Sequence, residues 1–225
     1  MKVDGWETEA VEYPSVGAEP PTKHMPEDAA AIRAVLTPLV EQGKEVIVVV
    51  HSYGGVPGAS AIQGLGWKQR AKEGKTGGVS LFIYLSAFVT RKGKCPKELL
   101  GGQFLPWMKF DGDYSRVESP EKVFYHDLNA EDLKWALDNL KHQSAPIFTD
   151  AADYEPWHEI DCGYIFCDDD QAIPLPVQEQ LASALGPDAF FTHLKASHSP
   201  FLSMVPELTG ALEKAAAFAN EKIAA

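Results

Sequence analysis

The sequence predicts an α/β fold: a mostly parallel sheet flanked by helices, with a helical cap inserted between two of its strands. Three observations carry that expectation. Apolar runs at 46–50, 79–85, 164–167 and 190–194 read as strands, and the first two have the unbroken character of strands buried on both faces. Helical stripes lie between and after these runs, and a strand–helix–strand order implies right-handed parallel crossovers. The stretch from about 90 to 159 contains no such run and is rich in aromatic residues and prolines instead.

Taken in order, residues 7–13 suggest a short strand carrying unusually many charges, and 14–21 are loop by their proline and glycine content. Pro26 opens a helix with Glu27 and Asp28 in its first turn, where the helix dipole favours anions. Ile32, Val35, Leu36, Leu39 and Val40 form its apolar stripe, and Gly43 ends it. The run 46–50 then leads directly into His51-Ser52-Tyr53-Gly54-Gly55. A serine on a tight strand-to-helix turn has its hydroxyl pushed out of the sheet, the arrangement of a nucleophile elbow. Val50 occupies the position of the first glycine of the strict G-x-S-x-G pattern, and Ser52 as a plain helix N-cap is the competing reading.

A helix with Val56, Ala59, Ala61, Ile62 and Leu65 follows, then the strand at 79–85. In the insertion, Asn129 caps a helix whose buried stripe is Leu133, Ala136, Leu137 and Leu140. Most of the cap aromatics are expected to form the cap's own core; Trp107, Phe124, Trp135 and Phe148 are assigned to the substrate pocket. The third strand, 164–167, runs into Asp168-Asp169-Asp170, and a helix follows from about Pro176 to Gly186. The fourth strand ends at Ser197-His198-Ser199, and a last helix runs from about Pro206 with Leu208, Leu212, Ala216 and Ala219 inward.

Ligands of open parallel sheets bind beyond the carboxyl ends of the strands. Here three strand ends carry a serine, an acid cluster and a histidine, in that order. A serine hydroxyl needs an imidazole to take its proton, and the imidazole needs a carboxylate to fix its tautomer. Ser52, Asp170 and His198 fill these roles; Asp168 and Asp169 read as solvated acids, and the Asp run is at most a weak cation site. His51 is expected to point away as a structural residue, and His24, His126, His142, His158 and His193 to lie on the surface or in the cap.

The whole chain sets bounds. Its 225 residues suit one domain, with the core at 1–89 and 160–225 and the cap at about 90–159. A formal net charge of −12 suits neither nucleic acid nor an anionic membrane surface. Cys95, Cys162 and Cys167 do not form a disulfide framework, and Cys162 and Cys167 read as buried thiols. With no apolar signal core or membrane-length run, a cytoplasmic location is expected. The expected partners are a small-molecule ester and a second copy of the chain in a homodimer.

The chain resembles the α/β-hydrolase superfamily. More narrowly it is similar to small esterases of the plant methylesterase and hydroxynitrile-lyase type and their fungal relatives. The motifs are Val49-Val50-His51-Ser52-Tyr53-Gly54-Gly55, Phe124-Tyr125-His126-Asp127-Leu128 with Trp135-Ala136-Leu137, Asp170-Gln171-Ala172-Ile173-Pro174, and His198-Ser199-Pro200-Phe201. The resemblance implies Ser52, Asp170 and His198 as a catalytic triad, ester hydrolysis through an acyl-enzyme, and no metal or organic cofactor. The related cyanohydrin lyases carry a lysine directly after the catalytic histidine; Ser199 stands there in this chain, which disfavours lyase chemistry.

The resemblance also implies an oxyanion hole with one amide from Tyr53 and another from a His-Gly loop. No His-Gly dipeptide precedes Ser52. Residues from Gly5 to Pro14 match the end of the family's first helix and its fourth strand. About one strand–helix unit, on the order of 30 residues, is therefore expected upstream of Met1, ending in His-Gly. That unit includes the neighbour of the Ser52 strand, whose outer edge is expected to lack a partner. Two functions follow: a serine esterase for a small or medium ester, or a non-catalytic small-molecule-binding protein of the same fold without a complete oxyanion hole.

Overall fold

The first strand of the structure starts where the amphipathic stripe of its first helix ends. The structure is a computed structural model describing residues 6–224. Helix α1 (Met25–Glu41) buries Ile32, Leu36 and Val40 on one face, and strand β1 (Glu45–Ser52) follows. Two short helices, α2 (Gly55–Ala61) and α3 (Trp67–Lys72), lead to β2 (Gly78–Ala87), which is buried at every position. Its side chains alternate between two cores, as the period of two in a strand requires. Phe82 and Tyr84 pack with α1 and α2 residues, while Leu81, Ile83 and Leu85 pack with the small residues of the last helix.

The segment after β2 holds α4 (Pro96–Leu99), a hairpin of β3 (Met108–Asp111) and β4 (Tyr114–Val117), α5 (Pro120–Val123), α6 (Ala130–Asn139) and β5 (Gln143–Ser144). The chain then returns to the main sheet with β6 (Cys162–Cys167), α7 (Leu175–Ala182) and β7 (Phe190–Leu194), and closes with α8 (Pro200–Ser203) and α9 (Val205–Ala224). The main sheet is parallel, ordered β1-β2-β6-β7, and β3-β4-β5 form a second, antiparallel sheet. No described helix is long and apolar enough to cross a membrane.

Four expectations are corrected. Residues 7–13 form no strand and pair with no described strand; Glu7, Glu9 and Glu12 are exposed. β1 is not buried on both faces: it is the sheet's edge among the described residues, and Val49 is 41% exposed. The insertion contains a three-stranded sheet, turned by Gly112 in a left-handed conformation (φ 57°). The two-residue loop is Gly112-Asp113, closed by the Asp111–Tyr114 pair, and this glycine-led pair after Met108 and Phe110 is the hairpin signal that marks it. In α6, Asn129 does cap the helix, accepting from the amides of Glu131 and Asp132, but of its stripe only Ala136 is buried.

Candidate active site

The elbow is held by close backbone packing. Ser52 ends β1 with φ 53°, left-handed for a residue with a side chain. The Gly54 amide donates to the His51 carbonyl at 2.8 Å, closing the turn, and the Phe88 amide donates to the Ser52 carbonyl at 3.1 Å. A Cβ on Gly55 would lie 2.3 Å from the Phe88 carbonyl oxygen, and one on Gly54 would lie 2.6 Å from the Tyr13 hydroxyl. Only glycine lets the helix start pass this close to the end of β2.

Beneath the elbow, Tyr53 is buried and its hydroxyl donates to Asp28 at 2.9 Å. Asp28 is fully buried and also accepts from the amide and hydroxyl of Ser15, at 2.9 and 2.6 Å. Burial, and then the Asp28 carboxylate, push the Tyr53 phenol far up.

The three acids after β6 separate by partner. Asp168 pairs with His193 at 2.7 Å on the surface, and Asp169 offers its carbonyl to Gln171. Asp170 is buried. Its Oδ1 accepts from the amides of Ala172 and Ile173, at 2.6 and 3.0 Å. Its Oδ2 accepts from His198 Nδ1 at 2.6 Å and from the Ser86 hydroxyl. Burial opposes ionisation here, but the His198 charge and hydrogen bonds from His198, Ser86 and Ile173 outweigh it, holding the carboxyl below its usual range. With Nδ1 donating to Asp170, Nε2 of His198 is left as the base.

His51 does not point away. Its ring lies 4.4 Å from that of His198, and its Nε2 donates to the His198 carbonyl at 2.7 Å. Burial, and then His198, push His51 down to about 3, so it stays neutral. The end of β1 and the histidine loop are thus adjacent; among the described residues no hydrogen bond joins Ser52 to His198. Such bonds commonly tighten only when substrate is bound.

Of the aromatics assigned to the pocket, Phe124 stacks on His198 (5.1 Å between centroids, 26° between planes) and Trp107 meets Phe124 edge-on. Phe148 packs on Tyr53 and on the cap's Phe104 and Phe110. Trp135 is 59% exposed, beside the buried Ala136 but outside the face of α6 that packs inward, and stands apart from these groups. Among the described residues no group of three or more His, Cys, Asp or Glu side chains is arranged to hold a metal ion.

Residues 3–210 match the model of the alpha/beta hydrolase family. The chain belongs to that family. Two fungal relatives are each 31% identical to it. "Probable hydrolase R7" of Phoma sp. is matched over 88% of this chain and 84% of its own length. "Alpha/beta hydrolase nvfD" of Aspergillus novofumigatus is matched over 88% and 80%. Solved structures share the α/β-hydrolase fold. A pyrethroid hydrolase from Sphingobium faniae JZ-2 superposes with a TM-score of 0.66 at 23% identity, over 91% of this chain and 81% of that one. Polyneuridine aldehyde esterase superposes with a TM-score of 0.64 at 16% identity, over 86% and 80%.

Two further groups of this α/β hydrolase contact the site without having been candidate site residues, although Asp127 lies within the cap motif named above. Ser86 is one of several buried strand residues until the turn at its position is seen. Asp127 of the cap accepts from the Ser197 amide at 2.8 Å and the Ser197 hydroxyl at 2.5 Å, tying the insertion to the histidine loop. Their partners lie 84 and 70 residues away in sequence, beyond the reach of local patterning.

Proposed function

We propose that the chain is a serine hydrolase that cleaves a small or medium carboxylic ester through an acyl-enzyme. The observation that carries this reading is the chain of contacts from Asp170 Oδ2 to His198 Nδ1, with the His198 ring against the end of β1, where Ser52 sits on a left-handed turn. Ser52 gives its hydroxyl proton to His198 Nε2 while its Oγ bonds to the ester carbonyl carbon. The Tyr53 amide donates to the oxyanion that forms. Collapse of that adduct breaks the ester C–O bond, and the alcohol leaves with the proton from His198. Water then attacks the acyl-enzyme carbonyl as His198 Nε2 takes its proton; the C–Oγ bond breaks, His198 gives that proton to Ser52 Oγ, and the acid leaves. Asp170, held as a carboxylate, steadies the imidazolium in both halves.

Phe124 and Trp107 beside His198 support a substrate with an apolar part. The names of the relatives and of the esterase and pyrethroid hydrolase neighbours support hydrolysis of such a bond. Three free, buried cysteines fit a reducing, cytoplasmic setting. A fluorophosphonate probe tests the proposal: the protein is labelled and Ser52→Ala is not. Labelling that survives the substitution overturns it. Labelling of neither overturns it in favour of a non-catalytic binding protein of the same fold. p-Nitrophenyl esters of rising chain length then measure the pocket.

A further inference from the structure

Three observations converge on Ser86. Pairing of β1 with β2 slips at their carboxyl ends: His51 opposes Leu85, and Ser52 opposes Ala87, so Ser86 is the extra residue of a bulge. Its backbone is left-handed, φ 38°, a region where a residue with a side chain is strained and glycine is the relaxed choice. It is fully buried, and its hydroxyl donates to Asp170 Oδ2, the oxygen that also takes His198 Nδ1. Bulges beside reactive centres re-aim a single side chain. Here the re-aimed group is a hydroxyl, and a strained serine kept where glycine would fit needs a use for it.

We propose that Ser86 is a positioning residue of the catalytic centre, its hydroxyl fixing Asp170 Oδ2 on the imidazole of His198. The proposal rests on the serine-hydrolase reading for its kinetic consequence, and on geometry alone for the contact. Oδ1 is pinned by two backbone amides, so it fixes only one end of the carboxylate. Without Ser86, Oδ2 has a single partner, and that partner must move during turnover. With Ser86, the carboxylate stays in place while His198 takes and returns the proton.

The charged and titratable groups around this cluster come from β1, β6 and the cap. His51 on β1 is neutral, pushed by burial and His198 down to about 3. Tyr164 and Cys167 on β6 are neutral, their groups pushed up first by burial. Asp127 in the cap is engaged with Ser197. Asp170 is therefore the one carboxylate bonded to His198, and Ser86 the one side-chain hydroxyl donor to it among the described residues.

Two variants test this. Ser86→Gly removes the hydroxyl and relieves the backbone; Ser86→Ala removes the hydroxyl and keeps the strain. Both lose about 10- to 100-fold in kcat with KM within about twofold, the range for one hydrogen bond to a charged group. The acid limb of kcat/KM moves to higher pH in both, because a carboxylate freed of one donor attracts the imidazolium more strongly. Ser86→Gly melts no lower than the parent. A carboxyl-carbon NMR titration of Asp170, which needs no turnover, shows its midpoint raised in both variants.

If Ser86 only supports the backbone, Ser86→Ala matches the parent in kcat and in the Asp170 titration, and the proposal falls. An unmoved Asp170 titration in Ser86→Gly overturns it on its own. Probe labelling that persists in Ser52→Ala overturns the serine-hydrolase reading instead, and leaves the NMR result to judge Ser86.

Discussion

The elbow stands on a buried anion, and removing that anion is the most direct perturbation of its support. Asp28 accepts three hydrogen bonds in a site with no solvent access: from the Ser15 amide, the Ser15 hydroxyl and the Tyr53 hydroxyl. Tyr53→Phe deletes one donor to a charged acceptor, which costs about 2 kcal/mol. In a chain of this size that lowers Tm by about 4–8 °C. Asp28→Ala strands all three donors, each with its own desolvation penalty, for a total of about 4 kcal/mol or more and a Tm drop of about 8–16 °C. The decisive measurement is the double variant, followed by thermal unfolding. In the Asp28→Ala background the Tyr53 hydroxyl is already without its acceptor, so Tyr53→Phe costs almost nothing further or restores some stability. Fully additive losses would refute the claim that Tyr53 is held through Asp28, as would an unchanged Tm in Tyr53→Phe.

Other expectations follow from the same geometry. Asp170→Asn lowers kcat by about 10⁴-fold, because the amide favours the wrong imidazole tautomer. Asp170 is held below its usual range when folded, so its ionisation stabilises the fold fully above about pH 4 and ceases to as pH falls through the lowered folded value. Urea unfolding of Asp170→Asn therefore shows a flatter decline below about pH 4 than the parent. Gly55→Ala sets a methyl group against the Phe88 carbonyl and destabilises by about 2–3 kcal/mol, read from the urea midpoint. Trp135→Ala leaves KM for p-nitrophenyl esters within about twofold, since the indole faces solvent.

The parallel core was legible because its signals are local. The runs at 79–85 and 164–167 are buried on both faces, and a strand in that position can be little else. The same rule misread one face of β1, because burial of Val49 depends on what packs over that face and not on Val49 itself. Ser52, Asp170 and His198 could be picked out because each sits at a strand end, and the sheet brings strand ends together. Asp170 was separable from Asp168 and Asp169 by the residues after it: the Ala172 and Ile173 amides both turn back to it. The cap was far less legible. Its helix α6 is capped as its sequence indicates, yet Leu137 and Leu140 remain partly in solvent, because an apolar stripe states a preference and packing partners decide whether it is met. His51 was misassigned for a related reason. Strand alternation sends it to the opposite side from its neighbours, and the histidine loop folds over that side.

The contacts between cap and histidine change what the insertion does in this fold. Phe124 lies flat against the His198 ring, and three residues later Asp127 grips both the amide and the hydroxyl of Ser197. The inserted segment thus supplies part of the scaffold that holds His198. On the other side, His51 holds the His198 carbonyl from β1. His198 is therefore clamped from three directions: by the cap through its neighbour Ser197, by β1 through its carbonyl, and by Asp170 through its ring. A cap motion that admits substrate must either leave residues 124–127 in place or disturb the base. A displacement confined to the hairpin of β3 and β4 would break none of these three contacts, whereas one that carries residues 124–127 would pull on His198 directly.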